Sequence, residues 1–307
     1  MSSNGLPPLP ARDPRGHKGT FGTVVVVGGC ADARSRMIGA PAMAALAALR
    51  SGAGLARMLC PEPIVNEAIQ ITPSATGIAL ATSADGSLVA HLAAEAFDRH
   101  TAGSHAIVVG PGLGWSSDPL DPLTRGTTAL VMRAILHAEA PLVLDADALT
   151  ALAATPDFTK DFRASAVLTP HPGEFKRLAA ALMLPAPGED DASRSAACEA
   201  MARRIGCIVV LKGAGTVVSD GMQTWRCASG HACLGTAGTG DVLSGLIAGL
   251  VAQYARGGVP LFDLARIGVE AHARCGELWA SRHGAAGLVA HELADLIPET
   301  LEQMRPA

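Results

Sequence analysis

The chain has 307 residues, a formal net charge of −4 and seven cysteines, and 49% of its residues are hydrophobic but only 3% aromatic. Its length suits one large α/β domain or two small ones. The slight negative charge, without a basic cluster interleaved with aromatics, argues against nucleic acid as a main partner. An odd number of cysteines without CxxC or HExxH indicates neither a disulfide framework nor a zinc site.

The N-terminal composition bears on location. Residues 1–16 are rich in proline, charge and glycine and predict a flexible segment. The sequence contains no signal-peptide core and no run of about 18 apolar residues. We therefore expect a soluble protein with no membrane partner, and the cysteine pattern fits a reducing cytoplasm best.

The first predicted elements are a strand, a helix and a second strand. Residues 23–29 read TVVVVGG, a continuous apolar run typical of a strand buried on both faces. Residues 40–50 predict an alanine-rich helix with Pro41 in its first turn, and residues 55–60 predict the next strand.

Two further strands run into glycines and acids. Residues 106–109 form an apolar run followed by GPGLG at 110–114, where glycines allow a ligand close to the backbone. A helix is predicted from about 130 to 138, and the strand after it leads into Asp145 and Asp147. These acids either cap a helix or stabilise the ligand crevice or its metal.

A later strand, at 166–169, ends at two prolines that flank His171. A rigid loop at the ligand edge favours a binding role for this histidine over that of a surface residue. Glu174 fits a first-turn helix charge. Residues 184–193 predict an exposed loop, and a helix is expected from 193 to 206.

The segment 207–227 predicts a strand, a glycine turn and a hairpin at Asp220 and Gly221. Lys212 ends the first strand beside glycines. It is either a lysine that extends along the sheet edge toward water or a nucleotide contact.

The stretch 235–252 combines a glycine-rich turn with an apolar helix that starts near Thr239. Gly238 and Gly240 leave backbone amides open beside the positive helix end, which predicts an anion site. Asp241 would repel that anion if it only capped the helix. We therefore favour a base or a magnesium contact at this position.

Alternating strands and helices predict a doubly wound, mostly parallel sheet. Small residues at Gly245 and Gly249 predict close helix packing, and helices are also expected at 261–281 and 288–297. Right-handed crossovers would gather five loops in one crevice. These loops are residues 110–114, 145–147, 169–174, 212–216 and 235–241.

Five motifs together resemble the ADP/ATP-dependent NAD(P)H-hydrate dehydratases of the ribokinase-like superfamily. They are HKGTFG (17–22), GPGLG (110–114), DADAL (145–149), TPHPGE (169–174) with LKGAGT (211–216), and TAGTGDVLSG (236–245). The resemblance implies one three-layer α/β/α domain over residues 17–307. It also implies ADP- or ATP-dependent dehydration of the C6 hydrate of NADH or NADPH through a phosphorylated intermediate, with Mg²⁺.

The resemblance also implies roles for individual residues. Asp241 would be the catalytic base, and the hydrate would contact Ala40, Gly114, His171 and Asp241. The adenine nucleotide would contact Lys212, Gly213, Ala214, Gly215, Thr216, Gly238, Thr239 and Gly240. By the same analogy, the partners would be a homotetramer of this chain and an epimerase on a separate chain.

The sequence departs from the family pattern before the anion turn. His231, Cys233 and Gly235 stand where Asn, Gly and Ala are usual. Since His and Cys tolerate positive φ less well than Gly, we expect a differently shaped approach to the turn and weaker nucleotide binding.

Two other functions fit the anion turn. One is a superfamily kinase that phosphorylates a small alcohol, such as a vitamin precursor, and releases a stable ester. The other is a nucleotide-binding regulatory protein without turnover, although such a protein gains nothing from an acid at Asp241.

Overall fold

The computed structural model describes residues 5–305, except for the side chain of His137, and consists of one nine-stranded sheet with helices on both faces. The strands are β1 Thr23–Val27, β2 Leu55–Pro61, β3 Thr76–Leu80, β4 Ala106–Val109, β5 Leu142–Leu144, β6 Ala166–Leu168, β7 Ile208–Leu211, β8 Val217–Ser219 and β9 Thr224–Arg226. The helices are α1 Gly39–Arg50, α2 Val65–Ile71, α3 Ala90–Thr101, α4 Pro122–His137, α5 Asp147–Ala154, α6 Pro172–Ala181, α7 Asp191–Ile205, α8 Thr239–Tyr254, α9 Leu261–His283 and α10 Ala290–Gln303.

The strand order confirms the predicted doubly wound sheet. It is β3-β2-β1-β4-β5-β6-β7-β8-β9, with parallel pairing from β3 through β7 and antiparallel pairing of β8 and β9. The winding direction reverses between β1 and β4. The carboxyl ends of the parallel strands therefore meet at one edge, where ligands bind in such sheets.

Alternate residues of β1 pack into separate cores on the two faces of the sheet. Val24 and Val26 belong to a cluster that contains residues of α1, α8, α9 and α10. Val25 and Val27 belong to a second cluster that contains residues of α3 to α7. This arrangement confirms the three-layer α/β/α fold and explains why both sides of the strand are apolar.

Helix α8 lies directly against α1, as its glycines predicted. A Cβ at Gly245 would overlap the carbonyl oxygen of Ala44, and one at Gly249 would overlap the hydroxyl of Ser51. The absence of side chains at these two positions allows α8 to lie close to α1. The start of this helix, with its anion turn, is positioned as a result.

Several predicted boundaries were wrong. Helix α4 begins at Pro122 and not near 130, because Asp121 caps it by accepting from the Leu123 amide at 3.0 Å. Helix α7 begins at Asp191 with Asp190 as its cap, which shortens the predicted 184–193 loop. Elements α2, β3 and α3 had not been predicted.

The N-terminal segment contacts the domain. Leu9 is 2% exposed in the core, and Arg305 donates a hydrogen bond to the Pro10 carbonyl. The flexibility of this segment and the domain start at 17 stay predictions. Within residues 5–305, the helices are each too short or too polar to span a bilayer.

Candidate active site

The turn before α8 has the geometry of an anion site. Gly238 has φ of 88°, a conformation that suits glycine, and it precedes the first helical residue. The Thr239 hydroxyl lies 2.8 Å from the carbonyl oxygens of both Leu234 and Thr236 and so holds the turn in place. The Thr239 amide donates to the Thr236 carbonyl at 3.4 Å and the Val242 amide to the Gly238 carbonyl at 3.1 Å. Within residues 5–305 the amides of Gly240 and Asp241 have no such partner and are left for a ligand.

Lys212 joins this turn to the end of β5. Its Nζ lies 2.8 Å from Oδ1 of Asp145 and 4.0 Å from Oε2 of Glu174. A Cβ built at Gly240 would lie 3.3 Å from the same Nζ. The lysine therefore lies within the crevice, beside the start of α8, rather than reaching out to bulk solvent.

Burial raises the pKa values of the carboxyl groups around Lys212. The pKa of Asp241 is raised to about 7, first by burial and then by the charge of Asp145. Burial also raises the pKa of Glu174 to about 7 and raises that of Asp147. Burial by itself would lower the pKa of Lys212, but the negative charges of Asp145 and Glu174 outweigh it, and the pKa is raised. Shifts of this kind are typical of catalytic sites.

The second side of the crevice is formed by the GPGLG loop. The Gly114 amide donates to Oδ2 of Asp147 at 2.8 Å, although Asp147 also lies in the first turn of α5. A Cβ at Gly112 would lie 3.2 Å from that of Ala40. The start of α1, the GPGLG loop and the end of β5 thus meet beside the acids.

His171 caps α6 and also borders the acids. Its Nδ1 accepts from the amides of Gly173 and Glu174, at 3.0 and 3.4 Å. Its Nε2 lies 3.3 Å from Oε1 of Glu174, and the side chain is 51% exposed. Glu174 completes the capping box by accepting from the His171 amide at 2.8 Å. His171 therefore caps the helix and is also accessible to a ligand.

A cavity of about 530 Å³ opens beside the anion turn and has the size of a small-molecule site. Of the residues expected to contact nucleotide, Lys212, Gly213, Ala214, Gly215, Thr216, Thr239 and Gly240 line it. Gly238 lies next to this set in sequence but is not part of the lining. The far wall includes Cys227, Ser229 and His231 from the β9 side and Val269, His272 and Ala273 from α9.

Sequence reasoning missed the polar residues of α9. His272 Nε2 lies 2.9 Å from the Thr239 carbonyl oxygen. Buried Glu270 accepts from Ser229 at 2.9 Å and from the Cys227 thiol at 3.3 Å, and so holds the cavity wall. The available signal was the presence of Glu270 and His272 within residues 267–273 of α9, a stretch that is otherwise apolar and buried.

The backbone at His231 and Cys233 does not adopt the positive φ that would favour glycine. His231 has an extended φ of −142°, and its Nδ1 accepts from the Cys233 amide at 3.3 Å. Cys233 lies in a 3₁₀ turn, and its thiol donates to the Gly276 carbonyl at 3.3 Å. Neither residue needs positive φ, so the proposed reason for a disfavoured approach was wrong.

A family model described as NAD(P)H-hydrate dehydratase matches residues 24–299. An ADP-dependent (S)-NAD(P)H-hydrate dehydratase of Xanthomonas campestris is 35% identical, over 97% of this chain and 93% of its own length. A bifunctional NAD(P)H-hydrate repair enzyme of Salinibacter ruber is 37% identical over 94% of this chain. The chain spans about half the length of such bifunctional relatives, 50% in this case.

Two solved structures are similar to this chain over nearly its whole length. The ADP/ATP-dependent NAD(P)H-hydrate dehydratase of Bacillus subtilis, co-crystallised with ATP and Mg²⁺, is 30% identical over 98% of this chain and 96% of its own, with a TM-score of 0.77. A ribokinase-like superfamily protein of Enterococcus faecalis, 22% identical over 97% of this chain and 93% of its own with a TM-score of 0.73, has the same fold. This chain belongs to the NAD(P)H-hydrate dehydratase family.

Proposed function

We propose that this protein restores NADH and NADPH from their C6 hydrates by an ADP- or ATP-dependent dehydration. The observation that carries the proposal is the position of Asp241. It lies at the start of α8, directly after the anion turn, with a pKa raised to about 7 by burial. Family membership supports the same reaction.

Asp241 is suited to act as the general base. A carboxyl group with a pKa near neutrality is partly ionised at working pH and still accepts a proton strongly. Its carboxylate takes the proton of the C6 hydroxyl while that oxygen attacks the terminal phosphorus of the nucleotide. The bond to the departing AMP or ADP breaks. The amides of Gly238, Thr239 and Gly240 stabilise the charge on the transferred group.

The second step needs no further base of unusual strength. The lone pair of the ring nitrogen expels phosphate from C6, and the neighbouring ring carbon then gives its proton to the released phosphate or to water, which restores the dihydropyridine. Phosphorylation is required because hydroxide is a poor leaving group.

The residue roles divide the crevice in two. We assign the hydrate to the side formed by Ala40, Gly114, His171 and Asp241. We assign the nucleotide to the cavity side, with contacts from 212–216 and from Gly238, Thr239 and Gly240. Seven of these eight nucleotide residues line the same cavity, which supports the assignment.

The acids fit a magnesium ion that arrives with the nucleotide. Among residues 5–305 no group of three or more ligating side chains is arranged as a metal cage. Mg²⁺ is commonly held by one or two carboxylates together with substrate phosphates. Asp145 and Glu174 are buried beside Lys212 and would supply such oxygens. When bound, the ion would neutralise phosphate charge.

The biological setting is also part of the proposal. We propose a cytoplasmic homo-oligomer, a tetramer by family analogy, that works with an NAD(P)H-hydrate epimerase. The existence of bifunctional repair relatives about twice as long supports a second activity in the same repair.

The test incubates the protein with NADH or NADPH hydrate, Mg²⁺ and either ADP or ATP, and follows the dihydropyridine absorbance. Recovery of that absorbance with release of phosphate is expected. Accumulation of a stable phosphate ester would instead indicate a small-alcohol kinase. Nucleotide binding without either product would indicate a regulatory protein.

A further inference from the structure

His272 joins α9 to the anion turn through one ring nitrogen. Its Nε2 lies 2.9 Å from the Thr239 carbonyl oxygen, and the ring lines the cavity. A carbonyl oxygen can only accept a hydrogen bond. The proton of the imidazole is therefore on Nε2.

The ring is neutral, which leaves the other nitrogen with a lone pair. Withdrawal from solvent lowers the His272 pKa to about 4, and the positive charge of Lys212 acts in the same direction. A neutral imidazole carries one proton, so Nδ1 is an acceptor. Hydrogen bonds from other groups of residues 5–305 do not reach Nδ1. A donor must come from the occupant of the cavity or from water.

The nature of that donor follows from the position of Thr239. It is the first residue of α8, at the turn assigned to phosphates. Phosphate oxygens only accept at neutral pH and are repelled by a lone pair. The ribose is bonded directly to the first phosphate, so its hydroxyls are the closest donors of an adenine nucleotide. The amino group of the base lies at the opposite end of the nucleoside.

We propose that Nδ1 of His272 accepts a hydrogen bond from a ribose hydroxyl of the nucleotide and makes the site selective for ribonucleotides. This inference rests on the nucleotide site of the proposed function. It assigns to the ring two separate tasks. Nε2 holds the turn at Thr239, and Nδ1 recognises the sugar.

Two substitutions separate these tasks. In His272→Gln the longer amide can still donate to Thr239, but its oxygen is not held where Nδ1 was. In His272→Asn the amide oxygen can occupy the Nδ1 position, while the Nε2 donor is lost. His105→Gln is a matched control, because this histidine pairs with Thr23 and Arg256 and does not line the cavity.

The experiment is calorimetric titration of the full chain, in constant Mg²⁺ and without hydrate, with ADP, 2′-deoxy-ADP and 3′-deoxy-ADP. Loss of one neutral hydrogen bond predicts that one deoxy nucleotide binds about 3- to 10-fold more weakly than ADP. The ratio should fall to about 1 in His272→Gln. It should persist in His272→Asn, even if all affinities drop, and in His105→Gln.

Other outcomes overturn the proposal. Equal affinity of the wild type for the three nucleotides, or an unchanged ratio in His272→Gln, would leave His272 with a structural role only. Selective loss with purine riboside diphosphate, which lacks the amino group, would place the acceptor at the base. Sugar selectivity in a protein that fails to dehydrate the hydrate would refute the proposed function alone. Dehydration without sugar selectivity would refute this inference alone.

Discussion

The ammonium of Lys212 lies 2.8 Å from Oδ1 of Asp145, a residue that is 1% exposed and lies 67 residues earlier in the chain. The pair spans from the end of β5 to the end of β7. It places a positive charge beside Gly240, in the first turn of α8. Because Glu174 and Asp241 also adjoin it, this one ammonium is shared among several acids.

Asp241→Asn should abolish most turnover and leave nucleotide binding nearly intact. The amide keeps the shape of the side chain and loses the base, which predicts a fall in kcat of about 10²- to 10⁴-fold. Turnover and ADP titration measure the two effects. A kcat close to that of the wild type would make Asp241 a helix residue without a chemical role.

The pH dependence of kcat/KM should show an acid limb with an apparent pKa near 7. Activity falls as pH decreases, because the base must be ionised and burial raises the Asp241 pKa to about 7. In Lys212→Met the limb should move to higher pH, since loss of the nearby cation favours the protonated acid. Lys160→Met, at a solvent-exposed pair with Asp157, is the control and should leave the limb in place. A limb near pH 4 would contradict the assignment.

The contribution of the Asp241 carboxyl group to the unfolding free energy should decrease as the pH rises from about 4 to about 7. The folded pKa of Asp241 lies above its ordinary value, so the folded state binds more protons in this window and is destabilised as pH rises. Asp241→Asn should therefore raise the unfolding free energy at pH 8 by about 1–2 kcal/mol, after allowance for partial solvent access. At pH 4 the gain should vanish. Denaturant unfolding at both pH values measures it, and a gain independent of pH would exclude ionisation as the cause.

His171→Ala should raise KM for the hydrate more than it lowers kcat, because the side chain orients substrate beside the base. The variant should also lose about 1 kcal/mol of stability, since Nδ1 caps α6. His171→Asn is the matched control, because asparagine is a good N-cap without the imidazole. An unchanged KM in both variants would reduce His171 to its capping role.

The parts of the fold that the sequence predicts are those with a clear local pattern of residues. Burial of the all-valine strand at 24–27 follows from its apolar residues, and close packing follows from the glycines at 245 and 249. Both features were predicted correctly. Helix α3 and strand β3 were not predicted. Helix α3 buries three residues, Ala93, Phe97 and Thr101, and β3 is short and mostly exposed or half-buried, with Leu80 as its one buried residue.

Long-range geometry explains the rest of the site. Glycine and acid motifs predicted which loops meet, because parallel strands bring their carboxyl ends together. The contact of His272 with Thr239 depends on the packing of α9 against α8, and Glu270 reaches the 227–229 wall for the same reason. Nothing in the local sequence around either residue specifies its distant partner.

The segment at 231–233 leads to a prediction opposite to the one from the sequence. Because His231 is extended and Cys233 donates from a 3₁₀ turn to Gly276, replacing them by Asn and Gly relieves no strain. Cys233→Gly removes a buried thiol that is 2% exposed and gives the turn more freedom when unfolded. We expect about 1–3 kcal/mol lower stability and weaker ADP binding, since a less ordered wall must be fixed on binding.

His231→Asn should be close to neutral, because asparagine can also accept from the Cys233 amide. Calorimetric titration and thermal unfolding of both single variants measure these effects, and tighter ADP binding in Cys233→Gly would restore the expectation from the sequence.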